Sequence, residues 1–304
     1  MKATKLGRVY VPDGQRSWAR THAYVPTPVV LKTGVLRVYI ACLDEEKAGR
    51  VGYVDLDPED PRRILRISPD PVLDLGEPGT FDEWGVTPMS IVRVGDALRL
   101  YYTGWQRCRD GRYTLLTGVA ESLDEGESFV RRKATPVLER TEPERYIRTA
   151  AFVSPDAGGF RCWYVAGSKW LKREGKEVPT YGLRTLWSPD GLSWAEEGEL
   201  GFDPFGPEEF GIGRPWVWRV GDGFRMIYSI RSWSCGYRFG YAESPDGKQW
   251  IRRDDQLKLE PGPEDWDDQM VAFGARIEIA SGTFLFYNGN DYGRTGFGIA
   301  RLEA

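Results

Sequence analysis

One strand pattern returns five times along the 304 residues, and it limits the possible folds more than any other feature. The runs are Leu36-Arg37-Val38-Tyr39-Ile40-Ala41, Leu98-Arg99-Leu100-Tyr101-Tyr102-Thr103, Phe160-Arg161-Cys162-Trp163-Tyr164-Val165, Phe224-Arg225-Met226-Ile227-Tyr228-Ser229 and, more loosely, Thr283-Phe284-Leu285-Phe286-Tyr287-Asn288. Their first residues are 62, 62, 64 and 59 apart. Each run is short, rich in aromatic and β-branched residues, and bounded by Gly or Asp, which is strand grammar. An apolar element precedes each run: Thr27-Pro28-Val29-Val30, Thr87-Pro88-Met89-Ser90, Thr149-Ala150-Ala151-Phe152, Arg214-Pro215-Trp216-Val217 and the segment around Phe273-Gly274-Ala275. Turn residues such as Gly95-Asp96 and Gly221-Asp222-Gly223 fill the gaps, so each pair reads as a hairpin.

A third element follows each hairpin, for example Gly118-Val119-Ala120 and Gly240-Tyr241-Ala242. Three of these run into an Asp/Gly turn and then an aromatic, ending at Phe129, Trp194 and Trp250, which opens a short outer strand. Three to four strands in each of five units predict an all-β protein, a five-bladed β-propeller forming one domain over 1–304. The blades are expected at about 20–75, 80–135, 142–200, 207–256 and 264–304. Residues 7–11 (Gly7-Arg8-Val9-Tyr10-Val11) are expected to complete the last blade and remove its free edge. A pair of β-sandwiches needs no such five-fold period.

Composition narrows the function classes. The net charge is −4 with acids and bases interspersed and no basic stripe, which argues against nucleic acid as a partner. No stretch approaches the ~20 apolar residues of a membrane span, and the N-terminus has no apolar run of a secretory signal. The expected location is cytoplasmic, with a small-molecule or carbohydrate ligand as partner. The four cysteines lack a CxxC spacing and read as reduced core residues. His22 is the only histidine, so a His-rich metal site is impossible. No cofactor is expected, although a carboxylate site in the channel leaves room for a divalent cation.

In a propeller the first strand of each blade lines the central channel. Stepping back six residues from the Pro28-type position finds His22, Asp82, Glu144, Glu209 and, in the looser last repeat, Asp267 or Asp268. Crowded carboxylates raise one another's pKa, so one acts as acid while another stays ionised, the pairing that glycosidic cleavage needs. Asp82, Glu144, Glu209 and His22 are the candidate catalytic groups. Arg148, Arg214 and Arg276 flank the same strands and either pair with the acids or clamp an anionic ligand group. Trp105, Trp170 and Trp233 follow second strands and suit stacking on sugar faces. Asn288, Asn290 and Tyr292 lie in a polar, Gly-rich turn aimed at the same mouth.

These residues also resemble a known group. His22 with Thr27-Pro28, Phe81-Asp82 with Gly85-Val86 and Pro88, Tyr101-Tyr102-Thr103-Gly104-Trp105, Glu209 with Gly213-Arg214-Pro215, Trp266-Asp267 with Met270, and Tyr287-Asn288-Gly289-Asn290 with Tyr292-Gly293 look like the glycosidase-like five-bladed propellers. Those are distant relatives of glycoside hydrolase families 43, 32 and 68. The resemblance implies three acids from the first three blades as base or nucleophile, transition-state stabiliser and general acid. Asp82 matches the second-blade acid and Glu144 is nearest the third. The first-blade aspartate is missing, and His22 is the only titratable group near it. The expectation is therefore a carbohydrate-active, glycoside hydrolase-like enzyme. Its alternatives are a cyclase, lyase or transferase on the same scaffold, or a non-catalytic carbohydrate-binding protein.

Overall fold

The computed structural model describes residues 1–109, 112–173 and 175–303; Ala304, where the fifth repeat was expected to end, lies outside them. The chain opens with β1 (Lys2–Tyr10). The first repeat is β2 (Thr21–Val30), β3 (Leu36–Leu43), β4 (Gly49–Leu56) and β5 (Ile64–Ile67). The second is β6 (Gly85–Val94), β7 (Ala97–Arg107), β8 (Tyr113–Ser122) and β9 (Val130–Arg131). The third is β10 (Ile147–Asp156), β11 (Gly159–Arg173), β12 (Lys176–Ser188) and β13 (Glu199–Phe202). The fourth is β14 (Glu209–Val220), β15 (Gly223–Ser232), β16 (Gly236–Ser244) and β17 (Ile251–Arg252). The fifth is β18 (Ala272–Ile279), β19 (Gly282–Asn288) and β20 (Phe297–Glu303).

Within each repeat, consecutive strands pair antiparallel. The fifth repeat gains its fourth strand from the other end of the chain, because β1 pairs antiparallel with β20 from Lys2 opposite Glu303 to Tyr10 opposite Phe297. The expected 7–11 strand thus exists but is longer and starts earlier. That sheet stands apart, while short parallel contacts, such as Gly49 with Gly85, join the first four repeats edge to edge into one sheet.

The core is distributed over the junctions between repeats. One apolar cluster joins repeats one and two through Tyr39, Val51, Leu100 and Tyr102. Equivalent clusters join two to three, three to four and four to five. A fifth cluster packs Val38 and Ile40 of the first repeat against Phe284, Phe286 and Ile299 of the last. Asn288 reinforces that junction: it accepts from the Val25 amide at 2.7 Å and donates to the Ala23 and Gly296 carbonyls at 2.8 and 2.9 Å. The Ser/Asp/Gly turns staple neighbouring repeats. Ser122, Ser188 and Ser244 cap the turns, and the turn carbonyls of Gly126, Gly191 and Gly247 accept from Tyr39, Tyr101 and Trp163 of the preceding repeat.

Every first strand is interrupted by a bulge, between Tyr24 and Thr27, Pro88 and Ser90, Thr149 and Phe152, Gly213 and Trp216, and Ala272 and Ala275. Four bulged residues hold a left-handed backbone: Val25 (φ 56°), Ala150 (54°), Arg214 (42°) and Phe273 (57°). Non-glycine residues in this region cost about 1–3 kcal/mol each and persist where the surroundings enforce them, commonly at functional sites. All four line one common cavity. Among the described residues no helix is long and apolar enough to cross a membrane. Cys42 and Cys162 are buried as expected, but Cys108 and Cys235 are exposed, because they sit in the loops after second strands. All four are free thiols.

Candidate functional site

The acids singled out in the sequence occupy a repeated structural unit. Asp82, fully buried, accepts from the Tyr102 hydroxyl at 2.8 Å and from Arg131 Nε at 2.7 Å. Glu144, also buried, accepts from Tyr164 at 2.8 Å and pairs with Arg148 at 2.5 Å. Asp267 accepts from Tyr287 at 2.9 Å and from Lys5 Nζ at 2.6 Å. Burial and the adjacent carboxylates push all three phenols well above their usual pKa, so they remain donors. Glycine makes room for the ring: a Cβ on Gly118 would sit 2.3 Å from Tyr102 Cζ. In the first repeat the equivalent of these tyrosines is Ile40, opposite Gly52, and no acid calls for a hydroxyl there.

The bulges explain the register. Asp82, Glu144 and Asp267 each stand eight residues before the first-strand residue that pairs with the fourth position of the second-strand run, namely Ser90, Phe152 and Ala275. The corresponding residue is Thr27 in repeat one and Trp216 in repeat four, so His22 and Glu209 fall out of step with the other three. A count by residue number from the prolines could not see this, because a bulge adds residues to one strand only.

Glu209 is held instead by a bidentate Arg252 at 2.7 and 2.8 Å and by the Phe205 amide at 2.8 Å. Burial raises its carboxyl, but these partners outweigh burial and keep it below the usual carboxylate range. Tyr228 donates to Asp254 at 2.5 Å. Glu144 and Glu209 are nevertheless brought to the same cavity of about 370 Å³, with Asp203, Lys169 and Arg184. Asp82 and Asp267 do not border it. Asp268 is exposed and accepts from Asn290 Nδ2 at 2.6 Å, and Arg276 pairs with Glu278 at 2.7 Å over the Trp218 ring.

A different constellation sits where the five first strands converge. A cavity of about 380 Å³ is bounded by residues of every first strand, including Tyr24, Thr87, Thr149, Arg214 and Phe273. Trp105, Tyr113, Tyr181, Tyr237 and Tyr292 add aromatic surface, and Arg231 a second cation. No Asp or Glu is among its described lining residues. An adjoining cavity of about 630 Å³ shares Tyr24, Trp105, Tyr113 and Tyr292 and adds His22, Lys47, Trp84 and Arg107, again without an acid. Burial, assisted by Arg294, lowers the His22 imidazole from 6.5 to about 4, so it is neutral at neutral pH.

Of the candidate tryptophans, Trp105 lines both cavities and anchors its indole on Thr87 Oγ1 at 3.0 Å. Trp170 lies edge-on to Tyr113 at 5.7 Å and borders a separate surface pocket. Trp233 packs on Phe210 with ring centroids 4.3 Å apart and reaches neither of these two cavities. Asn288 is spent on the first–last junction, and Asn290 accepts from the Gln269 and Met270 amides. Among the described residues no group of three or more His, Cys, Asp or Glu is placed to hold a metal ion. Sequence reasoning missed Arg231 and the tyrosines Tyr113, Tyr181 and Tyr237. They come from second and third strands, whereas attention fell on the segments before first strands.

No family model matches the chain. The solved structures it is similar to are glycoside hydrolase-like propellers. A protein titled simply a glycoside hydrolase superposes with a TM-score of 0.73 at 16% identity, over 98% of this chain and 90% of that one. A thermostable family-43 glycoside hydrolase gives 0.67 at 16%, over 93% and 90%. An α-L-arabinofuranosidase from Lactobacillus brevis gives 0.71 at 8%, over 93% and 91%. At these identities the likeness is one of fold. In sequence, the chain belongs to the family of the uncharacterized protein Rv1502 of Mycobacterium tuberculosis, with 33% identity over 299 residues and 98% of each chain covered. The uncharacterized protein MT1551, from another strain of that species, is 33% identical over the same length.

Proposed function

We propose that the chain is a five-bladed propeller, closed by β1 against β20, that binds a carbohydrate-type small molecule in its axial cavity without hydrolysing it through a carboxylate pair. Five inter-repeat core clusters, the last joining repeat five to repeat one, support the ring. The observation that carries the functional reading is the lining of the axial cavity: aromatic faces, hydroxyls and two arginines, with no described carboxylate. Aromatic faces take up sugar rings. Glycoside cleavage requires two carboxyl groups flanking the bond, about 5–5.5 Å or 6.5–9.5 Å apart. Asp82, Glu144 and Asp267 are each occupied by their own tyrosine and cation.

A second reading is favoured by one observation, the shared cavity of Glu144 and Glu209. Acid/base cleavage of a glycoside would take place there, with Glu209 as the ionised partner. Tryptophan fluorescence titration with a sugar panel, run beside product analysis on aryl glycosides, separates the two. The axial reading expects saturable quenching that Trp105→Ala abolishes, and no sugar release. Sugar release that Glu209→Gln abolishes and Trp105→Ala leaves unchanged would overturn it in favour of the second.

A further inference from the structure

We infer that the axial cavity is an oxyanion receptor, and that its ligand is an acidic or phosphorylated sugar whose carboxylate or phosphate is held by Arg214 and Arg231. This rests on the axial-cavity reading above and specifies the class of ligand. Four arginines of the described chain are buried: Arg37, Arg99, Arg148 and Arg214. Three have an acid: Asp55 at 2.7 Å, Glu121 at 2.8 Å and Glu144 at 2.5 Å. Arg214, 2% exposed, has only neutral partners. It donates to the Phe273 carbonyl at 2.6 Å, to Thr27 Oγ1 at 2.9 Å and to the Met89 carbonyl at 3.4 Å. Its Nε is buried with no hydrogen-bond partner among the described residues.

Carbonyl and hydroxyl partners satisfy donors but leave the charge uncompensated. A buried cation without a counter-charge is among the most costly arrangements in a protein. Burial accordingly pulls the Arg214 guanidinium down to about 9. Arg231, on β15, is half-buried in the same cavity. It lies over the Phe210 and Tyr237 rings and has only tyrosine hydroxyls as polar side-chain partners on the described chain, Tyr181 at 3.5 Å and Tyr113. Guanidinium groups bind carboxylate and phosphate through paired N–H donors. The tyrosine hydroxyls around them supply further donors.

The charge pattern points the same way. The chain has 45 acids against 41 Lys and Arg, yet no described acid borders either axial cavity, while Lys47, Arg107, Arg214 and Arg231 do. A cleft lined by one sign of charge between low-dielectric walls concentrates ligands of the opposite sign. The adjoining cavity gives the remainder of the ligand a route past Trp105.

The test is isothermal titration calorimetry, backed by thermal shift, on the full chain. The probes are glucose, glucuronate, glucose 6-phosphate and inorganic phosphate, with wild type, Arg231→Gln, Arg214→Gln and Trp105→Ala. The expected result is that glucuronate or glucose 6-phosphate binds at least tenfold more tightly than glucose. The preferred probe identifies a carboxylate or a phosphate ligand. Arg231→Gln is expected to lose at least tenfold for the anion and little for glucose, and it keeps the test open should Arg214→Gln not fold. Glucose binding as tightly as both anionic sugars, with loss in Trp105→Ala, overturns the oxyanion inference and leaves the axial-cavity reading standing. Equal response of wild type and the folded arginine variants to every anion, zero included, overturns the inference. Anion binding that Trp105→Ala leaves unchanged counts against the axial-cavity reading itself.

Discussion

Asp82→Asn separates a structural carboxylate from a catalytic one. The substitution keeps the shape and removes the charge. In the folded protein Asp82 is fully buried, 2.7 Å from Arg131 Nε and 2.8 Å from the Tyr102 hydroxyl. An amide in its place offers one oxygen to the Tyr102 and Arg131 donors, which share Oδ2, and turns an N–H group toward the Thr80 hydroxyl, which donates to Oδ1 at 2.9 Å. Removing one partner of a buried pair costs about 3–5 kcal/mol. The lower end applies, because the Arg131 side chain is 24% exposed and also donates to the Asp74 carbonyl. A loss of about 3 kcal/mol lowers Tm by roughly 5 °C in a chain of this size. Urea denaturation followed by tryptophan fluorescence reads it directly, with the midpoint shifted and the slope unchanged. The double variant Asp82→Asn/Arg131→Met is expected to recover part of the loss, since the uncompensated cation leaves with its partner. Ligand binding in the axial cavity is expected to persist in both variants. A loss below about 1 kcal/mol, together with abolished turnover of a sugar substrate, would refute the reasoning and return Asp82 to catalysis.

The remaining predictions follow from the junctions and the axial cavities. Asn288→Ala removes three buried hydrogen bonds at the first–last junction and is expected to destabilise by about 3 kcal/mol or more, read by the same urea titration. The His22 ring is expected to titrate near pH 4 by NMR, with no other histidine to confuse the assignment. Its folded pKa lies below the unfolded 6.5, so the stability it contributes is complete above that value and is lost as pH falls from about 6.5 toward 4; an NMR midpoint near 6.5 would contradict the burial. Trp105→Ala is expected to weaken ligand binding at least tenfold, while Trp233→Ala, which reaches neither axial cavity, is expected to leave it within a factor of two in the same titration.

The five hairpins were legible because strand period, turn residues and aromatic content agree within each repeat. The N-terminal strand was legible as a spare strand, though its start at Lys2 was not, since Lys2-Ala3-Thr4-Lys5 carries no apolar alternation. The ring of acids was only half legible. Residue types at a fixed offset pointed to Asp82, Glu144 and Asp267, but bulges in the first strands broke the count and brought His22 and Glu209 into a set to which they do not belong. A second signal was available: tyrosine occupies the fifth position of the second-strand run in every repeat except the first, where Ile40 stands, and the first repeat is the one without an acid. The co-occurrence marks a hydroxyl–carboxylate contact. The axial cavity was hidden because its tyrosines and Arg231 are spread over second and third strands and only the fold brings them together.

The central claim is tested most directly by a crystal structure of the chain with the acidic or phosphorylated sugar selected by calorimetry. The account predicts density in the axial cavity, with the sugar ring against Trp105 and its oxyanion on Arg214 and Arg231. Density for the sugar in the cavity between Glu144 and Glu209, with the axial cavity empty, would contradict it.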